Sequence, residues 1–122
     1  DDMDVFAYLS NMAPDGTVET ATRGILKVSH RKLDPELSKP YRPYHTHDAE
    51  QKLVPGEVVP IEVEIWATSM IFKEGHRIRL DVQPHDGDHY FAAYKLENNS
   101  IYTGGERASY VLLPVVPAQE KN

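Results

Sequence analysis

The stretch Ile61-Glu-Val-Glu-Ile-Trp66, followed downstream by Arg77-Ile-Arg-Leu-Asp-Val82, decides the predicted fold. In both runs apolar and charged residues alternate, so each run, as a β-strand, has one apolar and one charged face. If the two runs pair directly, the glutamates of the first can oppose the arginines of the second. We predict two antiparallel strands with one face on a core. The residues expected to be buried are Ile61, Val63, Ile65, Ile78, Leu80 and Val82.

The first part of the chain predicts a β-hairpin. Met3–Leu9 reads as a strand with apolar residues on both faces, so both faces should be covered. Asn11-Met-Ala-Pro-Asp-Gly16 is a turn, because proline presets φ and Asp-Gly supplies a positive-φ position. Thr17–Ser29 is then the return arm of the hairpin.

The remaining segments contain turns and little helix. Leu33-Asp-Pro-Glu-Leu37 has a local helix signal that should give one or two turns at most. Residues 38–51 are proline-punctuated and predict a long inter-strand connection over the surface. Ser109–Val116 is expected to be the final strand, and residues 118–122 a polar tail. This spacing of strands predicts an all-β fold, an antiparallel β-sandwich forming one domain over residues 1–122.

The totals restrict the classes of function. The chain has 122 residues and a formal charge of −6, which argues against a nucleic-acid surface. No apolar run approaches membrane-spanning length, so we expect no membrane partner. The chain has no cysteine, which excludes disulfides and weakly favours a cytoplasmic setting. Because residue 1 is Asp, we expect the natural N-terminus to lie elsewhere.

The sequence carries no signature of catalysis. Gly-x-Ser-x-Gly is absent, as are the P-loop and the dinucleotide-binding fingerprint. We therefore assign no catalytic residue to this chain and expect no cofactor.

Histidines are the best remaining candidates for a site. In an extended segment His45 and His47 share a face and could chelate a metal, and His85-Asp-Gly-Asp-His89 offers further ligands. Polar loops commonly carry such residues, and no closed four-ligand spacing is present. We therefore predict no metal site.

Aromatic residues accompany these histidines and suggest a binding surface. They could form a platform for a sugar or peptide, or they could pack a loop onto the sheet or a neighbouring domain. Packing is the favoured interpretation. The candidate residues for a cleft or domain interface are Tyr41, Tyr44, His45, His85, His89 and Tyr90.

Several blocks in the sequence resemble one domain family. The most specific block is Gly75-His-Arg-Ile-Arg-Leu80, preceded by Pro55-Gly-Glu57 and Val63-Glu-Ile-Trp66. Further matching blocks, in the same order, are Ser29-His-Arg31, Pro40-Tyr-Arg-Pro-Tyr-His45, Thr103-Gly-Gly105 and Ser109–Pro117. The chain resembles, over nearly its whole length, the C-terminal β-sandwich of the X-Pro dipeptidyl-peptidase and cocaine-esterase group of α/β-hydrolases.

This resemblance implies a jelly roll of galactose-binding-like type. In that family the domain follows a catalytic α/β-hydrolase domain with a Ser–Asp–His triad, and the matched positions here carry none of the triad. The implied partner is that catalytic domain, on which this module would pack and help to shape the substrate cleft. The resemblance also implies further strands before Asp1.

Two further expectations remain open. A free-standing lectin-like module that binds carbohydrate or peptide is the alternative function. Because the resemblance places the neighbours of Met3–Leu9 upstream, we also expect an open sheet edge at that strand and a homo-oligomer.

Overall fold

The computed structural model describes residues 2–86 and 98–118, and its core is a three-stranded antiparallel sheet. The strands are β1 (Asp4–Met12), β2 (Val18–Lys27) and β3 (Arg77–Gln83), in the order β2-β1-β3. Helical structure in the described residues is restricted to two short 3-10 turns, Val28–His30 and Gly105–Arg107. The fold is all-β as predicted, and the sheet is consistent with part of a β-sandwich.

The predicted hairpin is confirmed. Strands β1 and β2 pair from Asp4 opposite Lys27 to Met12 opposite Val18, with one register shift between Leu9 and Ser10. The turn closes through a 2.8 Å hydrogen bond from the Ala13 N–H to the Thr17 carbonyl. Gly16 takes a φ of 88°, the left-handed region that glycine tolerates best.

Strand β1 is the centre of the sheet, and both of its faces are covered. Val5, Phe6 and Ala7 are consecutive, so they point to alternate faces, yet all three are buried. The expectation that this strand lacks a neighbour is wrong, because β2 and β3 flank it on both sides. The buried apolar residues of the described chain are Val5, Phe6, Ala7, Leu9, Leu26 and Val28.

The pairing suggested by the two alternating runs is also wrong. Strand β3 pairs with β1, so that Leu80 lies opposite Leu9. Residues 61–66 form no regular strand and instead pass beside β2. There the Trp66 N–H donates to the Arg23 carbonyl at 3.0 Å, and the Thr22 hydroxyl donates to the Trp66 carbonyl at 2.7 Å.

The predicted burial of the β3 side chains is contradicted. Ile78, Leu80 and Val82 keep 51%, 42% and 43% of their surface exposed. They share the face of the sheet on which Ala7 and Leu9 are buried, but β3 lies at the edge of the three-stranded sheet. The apolar residues of 61–66 that were predicted to be buried, Ile61, Val63 and Ile65, are half-buried.

Of two further local predictions, the single turn at Leu33–Leu37 is confirmed and the final strand at Ser109–Val116 is contradicted. Leu33–Leu37 forms one hydrogen-bonded turn, in which the Ser38 N–H donates to the Asp34 carbonyl at 3.0 Å, and no helix follows. Ser109–Val116 is not a regular strand, and Tyr110 and Val116 are 87% and 84% exposed. No strand of the described chain pairs with it, and Pro114 has no N–H to donate to a ladder.

The helices of the described residues are too short to cross a membrane.

Candidate functional site

The connection over residues 38–51 is fastened to the end of the hairpin by backbone hydrogen bonds. The Thr46 N–H donates to the Lys32 carbonyl at 3.1 Å, and the Gln51 N–H donates to the Ser29 carbonyl at 2.7 Å. The Arg31 guanidinium also donates to the Gln51 carbonyl. These bonds place the predicted site residues of the connection next to the 3-10 turn that follows β2.

The arrangement brings together three histidines. The Nδ1 atoms of His30 and His47 are 2.9 Å apart, so one imidazole donates to the other. The rings of His45 and His47 have their centroids 6.1 Å apart. His47 has a φ of 52°, an uncommon conformation for a residue with a side chain. Of the three, His30 was not a sequence-predicted site residue, because only the fold brings it to the connection.

His45 is held in position by residue 62. Its Nε2 lies 2.9 Å from the Glu62 carbonyl oxygen, so the ring donates from Nε2. Burial lowers the pKa of His45 and the charge of His47 adds to that effect, while the bond to Glu62 opposes it. The histidine is therefore favoured in its neutral form.

This cluster does not have the geometry of a metal centre. The described residues contain no group of three or more His, Asp or Glu side chains that could hold a metal ion. The Nδ1 atoms of His30 and His47 bond to each other, so a metal could reach those two atoms only by breaking that bond. The absence of a metal site stays a prediction for the whole chain, because His89 lies outside the described residues.

The aromatic candidates on the connection face solvent. Tyr41 is 72% exposed and Tyr44 is 46% exposed. Tyr44 is anchored through its backbone, because its carbonyl accepts from the Asp34 N–H at 2.8 Å and its N–H donates to the Ser38 hydroxyl at 3.0 Å. The structure therefore presents Tyr41 and Tyr44 on a fixed loop.

The second group of candidates is only partly described. His85 is exposed, and no hydrogen bond or ring contact in the described part joins it to the three histidines. His89 and Tyr90 lie outside the described residues. The structure thus brings together His45 with His47 and His30, but not with His85.

A buried polar cluster lies on the face of the sheet opposite to the side chains of Ala7 and Leu9. The sequence did not reveal this cluster. Asp86 is buried, and its Oδ2 lies 3.4 Å from Nη1 of Arg23 on β2. The Arg23 guanidinium also lies over the Trp66 ring, 5.7 Å from its centroid. Burial raises the pKa of Tyr8, and the Asp86 carboxylate raises it further. The cluster links β1, β2 and the segment after β3, which is a structural role.

The described residues contain no serine or threonine hydroxyl that is activated as a nucleophile by a histidine. Ser10 and Ser29 are buried, and no serine or threonine hydroxyl in the described ranges hydrogen bonds to a histidine. A cavity of about 260 Å³ between the start of β1 and the end of β3 is lined by Met3, Asp4, Val82, Gln83 and Ile101, among others. Within the described ranges, the geometry is therefore that of a β-sheet module without a serine–histidine or threonine–histidine pair.

Comparison with known proteins gives the family. Residues 1–112 match the X-Pro dipeptidyl-peptidase C-terminal non-catalytic domain. The chain belongs to this domain family, as the sequence blocks indicated.

The relatives are hydrolases much longer than this chain. The chain is 33% identical over 117 residues to a protein of Mycobacterium bovis named "Putative serine esterase". This match covers 91% of this chain and 18% of that protein. The chain is also 26% identical over 131 residues to the cocaine esterase of a Rhodococcus species, covering 94% of this chain and 20% of the esterase. The chain spans about a fifth of the length of these curated relatives.

A solved structure agrees with this assignment. The crystal structure of a CocE/NonD family hydrolase from Staphylococcus aureus superposes with a TM-score of 0.69 at 31% identity. The match covers 75% of this chain and 19% of the hydrolase. The solved structure therefore supports the assignment of this chain to the X-Pro dipeptidyl-peptidase C-terminal non-catalytic domain family.

Proposed function

We propose that this chain serves a serine hydrolase acting on acyl esters or Xaa-Pro peptides, by packing on its catalytic α/β-hydrolase domain and walling part of the substrate cleft. The observation that carries the proposal is the family match over residues 1–112, in a domain described as non-catalytic. We infer that the sheet belongs to a jelly roll of galactose-binding-like type.

Exposed apolar side chains support a packing role. Ile71, Tyr110, Val115 and Val116 are each about four-fifths exposed or more. Large apolar side chains left in water favour burial against a neighbouring domain, at about 25 cal/mol per Å² of surface covered. We propose the catalytic domain of the parent hydrolase as this neighbour.

The connection is the part that we assign to the cleft or the domain interface. Tyr41 and Tyr44 are presented to solvent on a loop held by backbone hydrogen bonds, and His45 is fixed beside them by Glu62. Tyrosine contributes a large contact area and a polar tip at low cost in conformational entropy, which suits an interface. His85, His89 and Tyr90 are proposed for the same role.

The test is an exchange of domains with the Staphylococcus aureus hydrolase. The portion of that enzyme that this chain matches is replaced by the chain, and turnover of a p-nitrophenyl ester is measured. We expect the chimera to be folded and active, and the chain alone to be inactive. The double variant Tyr41→Ala, Tyr44→Ala should lower the thermal stability and the activity of the chimera. As a control, Lys39→Ala on the same connection should change nothing.

Two results would contradict the proposal. The first is turnover by the chain alone that a serine-directed phosphonate abolishes. The second is a folded chimera whose thermal stability and activity equal those of the hydrolase with the exchanged portion simply deleted, because then the module contributes no packing.

A further inference from the structure

One contact joins the 3-10 turn after β2 to the connection through two ionisable side chains. Nδ1 of His30 lies 2.9 Å from Nδ1 of His47, and the centroids of the two rings are 5.1 Å apart. A hydrogen bond between two ring nitrogens needs a proton on one of them and a free lone pair on the other. The contact therefore forms only while at least one of the two imidazoles is neutral.

The contact accepts one added proton but not two. The ring that faces a carboxylate is His30, whose Nε2 lies 3.9 Å from Oε1 of Glu50. A charged His30 still donates from Nδ1 to a neutral His47, and a hydrogen bond from a cation is stronger than one between neutral groups. A second proton, on His47, leaves two N–H groups aimed at each other with no acceptor and brings two positive charges together. The contact then opens.

The surrounding charges do not offset the second proton. Oε2 of Glu50 already faces Nζ of Lys52 at 2.9 Å, and Oδ2 of Asp48 faces Nζ of Lys32 at the same distance. Neither carboxylate therefore offers the pair an uncompensated negative charge. The other charged groups nearby are Asp2 with Lys27, Arg31, and Glu62 and Glu64 beside His45.

The third histidine increases the cost of a charged His47. The ring centroids of His45 and His47 are 6.1 Å apart. Burial lowers the pKa of His45, and the charge of His47 lowers it further. Such coupling is mutual, so a charge on either ring disfavours a charge on the other. Acid therefore adds charges that repel one another to one short stretch of the chain.

Few bonds hold this stretch besides the histidine contact. The N–H of Thr46 donates to the Lys32 carbonyl at 3.1 Å, and the N–H of Gln51 donates to the Ser29 carbonyl at 2.7 Å. His47 lies between these two bonds, is exposed to solvent and has a φ of 52°. Solvent protons reach it directly, and its backbone gains freedom when the contact opens.

We propose that the His30–His47 contact is a pH-sensitive latch, which holds residues 46–51 on the 3-10 turn at neutral pH and releases them in mild acid. Its stabilising effect is present at neutral pH and is lost as both imidazoles take up protons, below about pH 6.5 where histidine ordinarily titrates. Tyr44 is bonded separately to Asp34 and Ser38, so it should stay in place while the segment after it opens.

Backbone hydrogen exchange, followed by NMR on the 122-residue chain, tests the latch. The reporters are the amides of Thr46 and Gln51, and the references are those of Val28 and Asp34, which donate to carbonyls outside residues 46–51. Exchange is measured at about pH 7.5 and about pH 5, on either side of the ordinary histidine range, and corrected for intrinsic exchange. The protection factors of the reporters should fall at least about tenfold, the order expected for one lost hydrogen bond. Those of the references should hardly change.

The variant His47→Asn removes the titration and keeps the bond. The asparagine Oδ1 can accept from Nδ1 of a charged His30, and asparagine tolerates positive φ better than most residues. Its reporters should therefore stay protected at the acid pH. His30→Ala removes the bond at every pH, so its reporters should already have low protection at the neutral pH. The matched control is His85→Asn, at an exposed position outside the cluster, which should keep the full fall.

Three results would overturn the proposal. The first is reporter protection in the unaltered chain that is the same at both pH values. The second is an equal fall at the references, because the whole chain then loses stability rather than one segment. The third is a fall in folded His47→Asn as large as in the unaltered chain, with circular dichroism at both pH values establishing that each variant is folded. The unaltered chain alone decides the first two.

Discussion

The N–H of Trp66 donates to the carbonyl oxygen of Arg23 at 3.0 Å, and this bond fixes residues 61–66 against the outer side of β2. The Thr22 hydroxyl returns a bond to the Trp66 carbonyl at 2.7 Å. Beside these bonds, the backbone of Glu64 passes directly over Gly24, at a place where only a glycine leaves room. The position of residues 61–66 is therefore fixed by the hydrogen bonds to β2 and by the absence of a side chain at Gly24.

Replacing Gly24 with Ala should displace this segment. The new Cβ would lie 2.8 Å from the Glu64 carbonyl carbon and 3.1 Å from the Ile65 Cα, and backbone cannot yield as a flexible side chain does. We expect a loss of about 1–3 kcal/mol in the free energy of unfolding. Trp66 is the single tryptophan, so its emission should shift to longer wavelength as it leaves β2.

The comparison variant is Gly56→Ala. Gly56 has nothing within 4 Å of its Cβ position but a φ of 86°, so it incurs only the left-handed backbone cost of about 1–2 kcal/mol. Its tryptophan emission should not change. An unshifted spectrum in Gly24→Ala would show that residues 64–66 do not lie against β2.

The parts of the fold that the sequence predicted are those with local partners. The β1–β2 hairpin was predictable because its turn residues and its two strands are contiguous in sequence. The partner of Arg77–Gln83 was not, since alternation specifies which side chains share a face but not which strand lies alongside. Residues 61–66 have the same alternation as β3, yet Gly24 and the edge of β2 offered them another position.

The candidate site shows the same limit. His45 and His47 were identified by residue type and by their spacing in one segment. His30 lies 17 residues from His47, and their contact exists only because the Ser29 carbonyl and its neighbours fasten the connection. Asp86 was missed for a different reason: it stands in a polar run, which predicts exposure, whereas Arg23 draws it into a buried pair.

Truncating a buried leucine and an edge leucine should cause different losses in the free energy of unfolding, which distinguishes the covered half of the sheet from the open half. Leu26 is buried on β2, so Leu26→Ala should cost about 2–5 kcal/mol. Leu80 is 42% exposed, so Leu80→Ala should cost about 1 kcal/mol or less, below the range predicted for a core position. Urea denaturation at low micromolar chain concentration measures both. Equal losses would mean that the apolar face of β3 is covered.

Zinc should not bind tightly to the histidine cluster. In the described residues no three His, Asp or Glu side chains are placed to hold one metal ion, so zinc would gain at most two protein ligands there. Calorimetric titration of the chelator-treated chain with zinc should show no saturable site with a dissociation constant below about 1 μM. One-to-one binding in that range that is lost in His47→Gln would contradict the prediction.

The stability of the chain should fall below about pH 6.5, in part because of His45. Burial lowers the pKa of this residue in the folded chain, so in mild acid the unfolded chain takes up a proton that the folded chain does not. The resulting stabilisation is present above the unfolded pKa and is lost as the pH falls towards the lower, folded pKa. Since His45 is partly accessible to solvent, we expect only a small decrease in stability from this residue between pH 7 and 5.

The variant His45→Gln isolates this contribution. The glutamine amide can still donate to the Glu62 carbonyl, as Nε2 of the histidine does, but it does not titrate. Urea denaturation at pH 7 and pH 5 should therefore show a smaller decrease in stability for His45→Gln than for the unaltered chain. His85→Gln, at an exposed position outside the cluster, is the matched control and should keep the full decrease. If His45→Gln also keeps the full decrease, then His45 does not resist protonation in the folded chain.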